Sequence, residues 1–258
     1  MKRRNKSDSR NATFDQEVRE HRSKRRGRPR TRQDISSDDP AADIVATAAV
    51  LFAQNGYAGT TTGQIARKAG LQQSSLYYYF SNKSEILSAL IYPLTRRQIE
   101  YLDYLKKVDR RAVFKLRHFI EFDVETLATA PVNVTEVLST GTDADFEVFW
   151  RERDELTMGI DELLQTGISE GDLIDLDTAT VAHGLICFSE GIQSWLHNQR
   201  PPQGGSSRPE RPDTCRIASF LADWLIRGLL AKGRRPDVVR RGAQRVRDEV
   251  NTMTGHTS

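Results

Sequence analysis

The sequence predicts an all-α fold, and three observations carry the prediction. Apolar residues recur at three- and four-residue spacing along most of the chain after residue 39. No stretch keeps the alternation of a half-buried strand, and the apolar segments are bounded by helix caps and breakers. With 258 residues, 38% hydrophobic, the chain can hold one or two domains and a sizeable core.

Residues 1–39 lack apolar periodicity and are rich in Arg, Lys, Ser and Asp, a composition expected to be disordered in isolation. Residues 1–32 carry 13 Lys/Arg against 4 Asp/Glu, residues 233–258 carry 6 against 3, and the body between them 19 against 28. A basic arm on an acidic body is the asymmetry of a protein that touches a polyanion at one end. Within the arm, Arg26-Gly27-Arg28-Pro29-Arg30 resembles an AT-hook. Arg26, Arg28 and Arg30 then either lie along a narrow, strongly negative A·T-rich minor groove or belong to a solvated run that only adds non-specific attraction.

Asp39 is placed to cap a helix with Pro40 at its first position. Ile44, Val45, Ala48, Leu51 and Phe52 form its stripe, and Asn55-Gly56 ends it. Thr61 with Gln64 predicts a capping box for a second helix bearing Ile65, Ala66 and Ala69, and Gly70 stops it. Leu71 pins the turn. Gln72 to Phe80 predict a third helix with Leu76 and Phe80 inward and Gln72, Gln73, Ser74, Ser75, Tyr77 and Tyr78 outward. That outer face is polar, hydrogen-bonding and uncharged, which suits a DNA major groove.

Asn82 and Glu85 predict the start of a fourth helix over about 83–107, with a kink or break at Pro93. Helices follow at 110–129, 143–170, 177–198 and 212–231, with a Pro/Gly/Ser-rich loop at 199–210. The last two are apolar on more than one face, so the extra face meets either a partner subunit or the chain's own core. Beyond Gly233, Val238, Val239, Ala243, Val246 and Val250 stand among six arginines, as a short amphipathic helix or a disordered tail.

The run 48–87 resembles the DNA-binding domain of the TetR family of bacterial transcriptional regulators. The marks are Ala49, Leu51-Phe52, Gly56-Tyr57, Thr60-Thr61, Ile65-Ala66, Ala69-Gly70-Leu71, Leu76-Tyr77, Phe80 and Lys83. The resemblance implies an N-terminal three-helix helix-turn-helix domain (40–82) and a larger helical ligand-binding and dimerisation domain (83–232), flanked by the arm (1–39) and the basic tail (233–258) read from composition. It implies a cytoplasmic, ligand-responsive repressor that binds double-stranded DNA at a pseudo-palindromic operator. The homodimer would form through helices 177–198 and 212–231, with Gly184, Gly191 and Gly228 allowing close approach. Gln72, Gln73, Ser74 and Tyr77 become base-reading candidates. Thr61, Thr62, Tyr79 and Lys83 match phosphate-holding positions, although Tyr79 can equally pack beneath the helix. Positions 72–74 depart from the family's frequent Ser-Arg/Lys-Gly pattern, so base preference does not carry over. A small, mostly apolar effector is expected near Phe114, Phe122, Phe149, Trp150 and Phe188.

No Gly-rich phosphate loop, G-x-S-x-G or metal motif is present, so neither an enzyme nor a cofactor protein is expected. His118 and His183, among apolar neighbours, read as packed core residues. No apolar run is long enough for a bilayer, and no apolar segment follows the basic N-terminus as in a secretory signal. Cys187 and Cys215 fit a reducing compartment.

Overall fold

The computed structural model describes residues 39–139, 146–198 and 213–255, which fold as helices with one isolated antiparallel bridge, Leu173 to Leu230. The arm, including Arg26, Arg28 and Arg30, and the loop 199–210 lie outside the described residues.

Helix α1 (Pro40–Asn55) begins where Asp39 Oδ1 accepts the N–H groups of Ala41 and Ala42 at 3.0 and 3.2 Å. It ends at Gly56, whose φ of 73° favours a residue without a Cβ. Helix α2 (Thr62–Lys68) carries the expected Thr61–Gln64 capping box. Gly70 turns the chain at φ 69°, and Leu71 N–H closes back on Ala66 O at 2.8 Å. Helix α3 is shorter than expected, Gln73–Leu76. Beyond Leu76 the N–H groups of Tyr78 and Tyr79 bond three residues back, so the helix tightens into a turn that seats Phe80 in the core.

Helix α4 (Lys83–Lys107), capped by Asn82, continues through Pro93, so of the expected kink or break the break does not occur. The larger half contains α5 (Ala112–Ala128), α6 (Val134–Leu138), α7 (Glu147–Ser169), α8 (Thr178–His197) and α9 (Thr214–Leu229). It also contains α10 (Pro236–Thr254), so the expected basic tail is part of the core. Val239, Ala243, Val246 and Val250 are buried against α5. Gly242 is what lets α10 approach, because a Cβ there would stand 2.5 Å from the Phe114 ring.

Two apolar cores result. One holds α1, α2, α3 and the first half of α4, closed by Leu127, Val132, Val134, Phe146 and Phe149 from the following helices. The other lies between the second half of α4 and α5, α7, α8, α9 and α10. The first core therefore draws on residues past the expected boundary at 82.

Candidate nucleic-acid interface

Helices α2 and α3 set three polar side chains against one another at the surface. Gln73 Nε2 donates to Thr62 Oγ1 at 3.2 Å and to Tyr77 OH at 3.4 Å, and Thr62 Oγ1 and Tyr77 OH share a bond of 3.1 Å. The bonds from Thr62 and then Gln73 lower the Tyr77 phenol pKa. Gln72, Ser74 and Tyr78 are exposed beside them, and Ser75 is half-buried. Segment 72–80 contains no charged side chain, so it offers donors and acceptors but no point charge. Gly63, not singled out from the sequence, faces this cluster: a Cβ there would stand 3.4 Å from Gln73 Oε1.

Two phosphate candidates are drawn inward. Tyr79 is half-buried on the first core and meets Tyr78 edge-on at 5.1 Å. Lys83 Nζ donates to Tyr57 O and Thr60 O at 2.8 and 2.9 Å and lies 4.0 Å over the Tyr57 ring. Partial burial lowers its pKa. Lys83 thus fastens the α1–α2 turn to the start of α4. Thr60 is buried beneath it, its hydroxyl donating to Leu51 O and Gly56 O at 3.2 and 2.9 Å. Thr61 is exposed, with its side chain occupied by the capping box.

The second site is a cavity of about 20 Å³ between α4, α5, α7 and α8. Of the five aromatics expected there, only Phe149 lines it. Trp150 packs edge-on against Phe149 at 5.2 Å. Phe122 stacks on Tyr101 at 3.6 Å, Phe114 faces Gly242, and Phe188 stacks on Trp224 at 6.0 Å. Polar residues line the cavity instead: Thr95, Gln98, Asp123, Arg153 and Glu190. A sequence signal existed for Asp123, a carboxylate three residues past Ile120 on the inward stripe of α5.

On the outside of α8 and α9, Trp195, Phe220 and Trp224 are 53, 67 and 58% exposed, and the first two line a groove with Ile192, Arg216, Ile217 and Leu221. A Cβ built on Gly184, Gly191 or Gly228 would meet nothing within 4 Å.

The family model for bacterial regulatory proteins, tetR family, matches residues 44–90, the segment that builds the first core and its polar surface. The TetR family match is thus carried by residues 44–90. Over 119 residues it is 29% identical to the HTH-type transcriptional regulator EthR of Mycolicibacterium smegmatis, covering 45% of this chain and 54% of EthR. Over 167 residues it is 25% identical to the fatty acid metabolism regulator protein of Bacillus subtilis, covering 61% and 84%. The ketosteroid transcriptional regulator KstR2 of Mycobacterium tuberculosis shares the fold, with a TM-score of 0.61, 18% identity and coverage of 76% and 98%. EthR is by name a transcriptional regulator, and the matched segment 44–90 is that of bacterial regulatory proteins. No described helix is long and apolar enough to cross a membrane.

Proposed function

We propose that the protein is a ligand-responsive repressor that binds a pseudo-palindromic operator as a homodimer. The observation that carries this reading is the exposed Thr62–Gln73–Tyr77 cluster at the mouth of α3. Gln73 and Gln72 can pair bidentately with adenine, Ser74 with any base edge, and Tyr77 with a thymine methyl or a phosphate. Thr61 and Thr62 would hold phosphates and set register. Lys83, spent on two carbonyls, would act by fixing the unit's shape, and Tyr79 by packing beneath it.

The exposed aromatic face of α8 and α9 supports dimerisation, since a patch of that kind marks an interaction surface. Two reading units would then enter successive major grooves about 34–36 Å apart. The arm with Arg26, Arg28 and Arg30 would add attraction along the flanking DNA. A small, mostly apolar effector in the cavity beside α4 would favour a different spacing of the units and release DNA. AibR, of the same fold at 18% identity and a TM-score of 0.56, has been solved with isovaleryl coenzyme A and operator DNA together.

Footprinting on genomic fragments tests the reading. Discrete protection with two-fold symmetry, by a species sedimenting as a dimer, is the expected result. Uniform coverage of A·T-rich DNA would point instead to an architectural protein dominated by its arm.

A further inference from the structure

We propose that the cavity between α4, α5, α7 and α8 takes a lipophilic monocation, an amine or quaternary ammonium, with Asp123 as its counter-ion. The proposal rests on the reading of this cavity as the effector site and adds the charge of the ligand.

Three charged side chains line the cavity. Arg153 and Glu190 neutralise each other, Nη2 to Oε2 at 3.0 Å. Asp123 is 5% exposed, and among the described residues no cation pairs with it. Its partners are neutral: Gln98 Nε2 donates to Oδ1, and the Ser189 side chain bonds to the same carboxyl. The rest of the wall is largely apolar, from Ile91, Leu94, Leu127, Phe149, Leu156 and Ile186. Burial, with a smaller push from Glu190, raises the Asp123 carboxyl to about 6, against the pull of its two hydrogen bonds. It still titrates below neutrality, so a carboxylate sits in an apolar wall without its counter-charge.

Each alternative head group fares worse. An anion would face Asp123 and Glu190, with only Arg153, already matched, to attract it. A neutral apolar ligand would strip the remaining hydration from Asp123 and return nothing for it. A cation replaces that hydration with an opposite charge at low dielectric. Arg153 Nε, buried without a hydrogen-bond partner, remains free to bond an oxygen elsewhere on the ligand.

The cavity's size ties occupancy to the reading unit. About 20 Å³ holds little more than one water molecule. Anything larger must move α4 away from α5, α7 and α8. Ile91 on α4 belongs both to this wall and to the first core, so that movement is passed directly to α1–α3.

Three ten-carbon probes with one tail and different heads test the proposal on the full chain near neutral pH: decylamine, decanol and decanoate. Calorimetry should find decylamine binding at least about ten-fold more tightly than either of the others. Asp123→Asn should bring decylamine to the level of decanol and leave decanol unchanged. Should that variant not fold, the order of the three probes on the wild type decides alone. Absent binding of decylamine, binding blind to head charge, a preference for decanoate, or a preference that survives Asp123→Asn would each overturn the proposal. Decylamine that binds as expected without weakening operator affinity would leave the cationic site standing and refute its role as effector site.

Discussion

The side-chain oxygen of Gln193 accepts the Val134 N–H at 3.1 Å, joining α8 to the start of α6. The same amide donates to Leu127 O and Val132 O, each at 3.0 Å, and Gln193 is fully buried. Leu127, Val132 and Val134 all belong to the core beneath the reading unit. One side chain of the proposed dimer helix thus holds the loop on which the DNA-binding half rests. Gln193→Leu should cost about 3 kcal/mol, because three buried backbone groups lose their partner at once. Urea unfolding measures it, and a loss within experimental error would mean that water replaces the amide.

At the reading face, Gln73→Ala should weaken operator binding by about 1–3 kcal/mol and relax preference at one base pair per half-site. The motive is its position on the exposed end of α3, bonded to Thr62 and Tyr77. Affinity for random DNA should barely change. Equal losses on operator and random sequence in gel-shift titrations would exclude Gln73 from base reading.

Acidity provides a third test. Burial foremost pushes Asp123 to about 6 and Glu152 to about 7, the latter with a buried carboxyl oxygen lacking any hydrogen bond. Both hold their protons more tightly in the folded chain than in the unfolded one, where carboxyls titrate near about 4. Their contribution to stability is therefore greatest below the unfolded value and is lost as pH rises through about 4 to 7. Glu121 acts oppositely but lower: despite burial, the neighbouring His118 and the charges of Arg117 and Arg247 hold it down to about 2. Asp123→Asn should remove up to about 3 kcal/mol of the dependence between mildly acid and neutral pH. An unchanged slope in the variant would discard this account.

For the arm, deletion of residues 1–32 should lower the salt dependence of DNA binding by several units of slope, each neutralised phosphate contributing about 0.9. The reason is the contrast between 13 basic residues there and none in segment 72–80. Circular dichroism should show the helices retained. The same slope with and without the arm would locate the phosphate contacts elsewhere.

Much of the first half was legible because its signals are local. Asp39 with Pro40, Thr61 with Gln64, and Asn82 with Glu85 each complete their hydrogen bonds within four residues, and α1, α2 and α4 start where these pairs put them. The placement of Lys83 was not legible, because its long side chain folds back onto carbonyls 23 and 26 residues earlier. The cavity aromatics were beyond reach for a related reason. Helix α8 is apolar on two sides, and only packing tells that Phe188 turns towards Trp224 and leaves the cavity wall to Phe149. Helix α10 hid among its arginines, since its burial depends on Gly242 meeting Phe114 from 128 positions earlier.

That last pairing bears on how the chain is made. The reading unit is synthesised early, yet its core waits for Val132, Val134 and Phe149, and the larger core waits for Val246 and Val250. A nascent chain interrupted before residue 250 displays the apolar seam of α5 that α10 would cover. Such a fragment should unfold more readily than the full chain and fall to chaperones and proteases. Burial of the late-made α10 thereby discriminates against incomplete chains that could occupy DNA without the helix that completes the larger core.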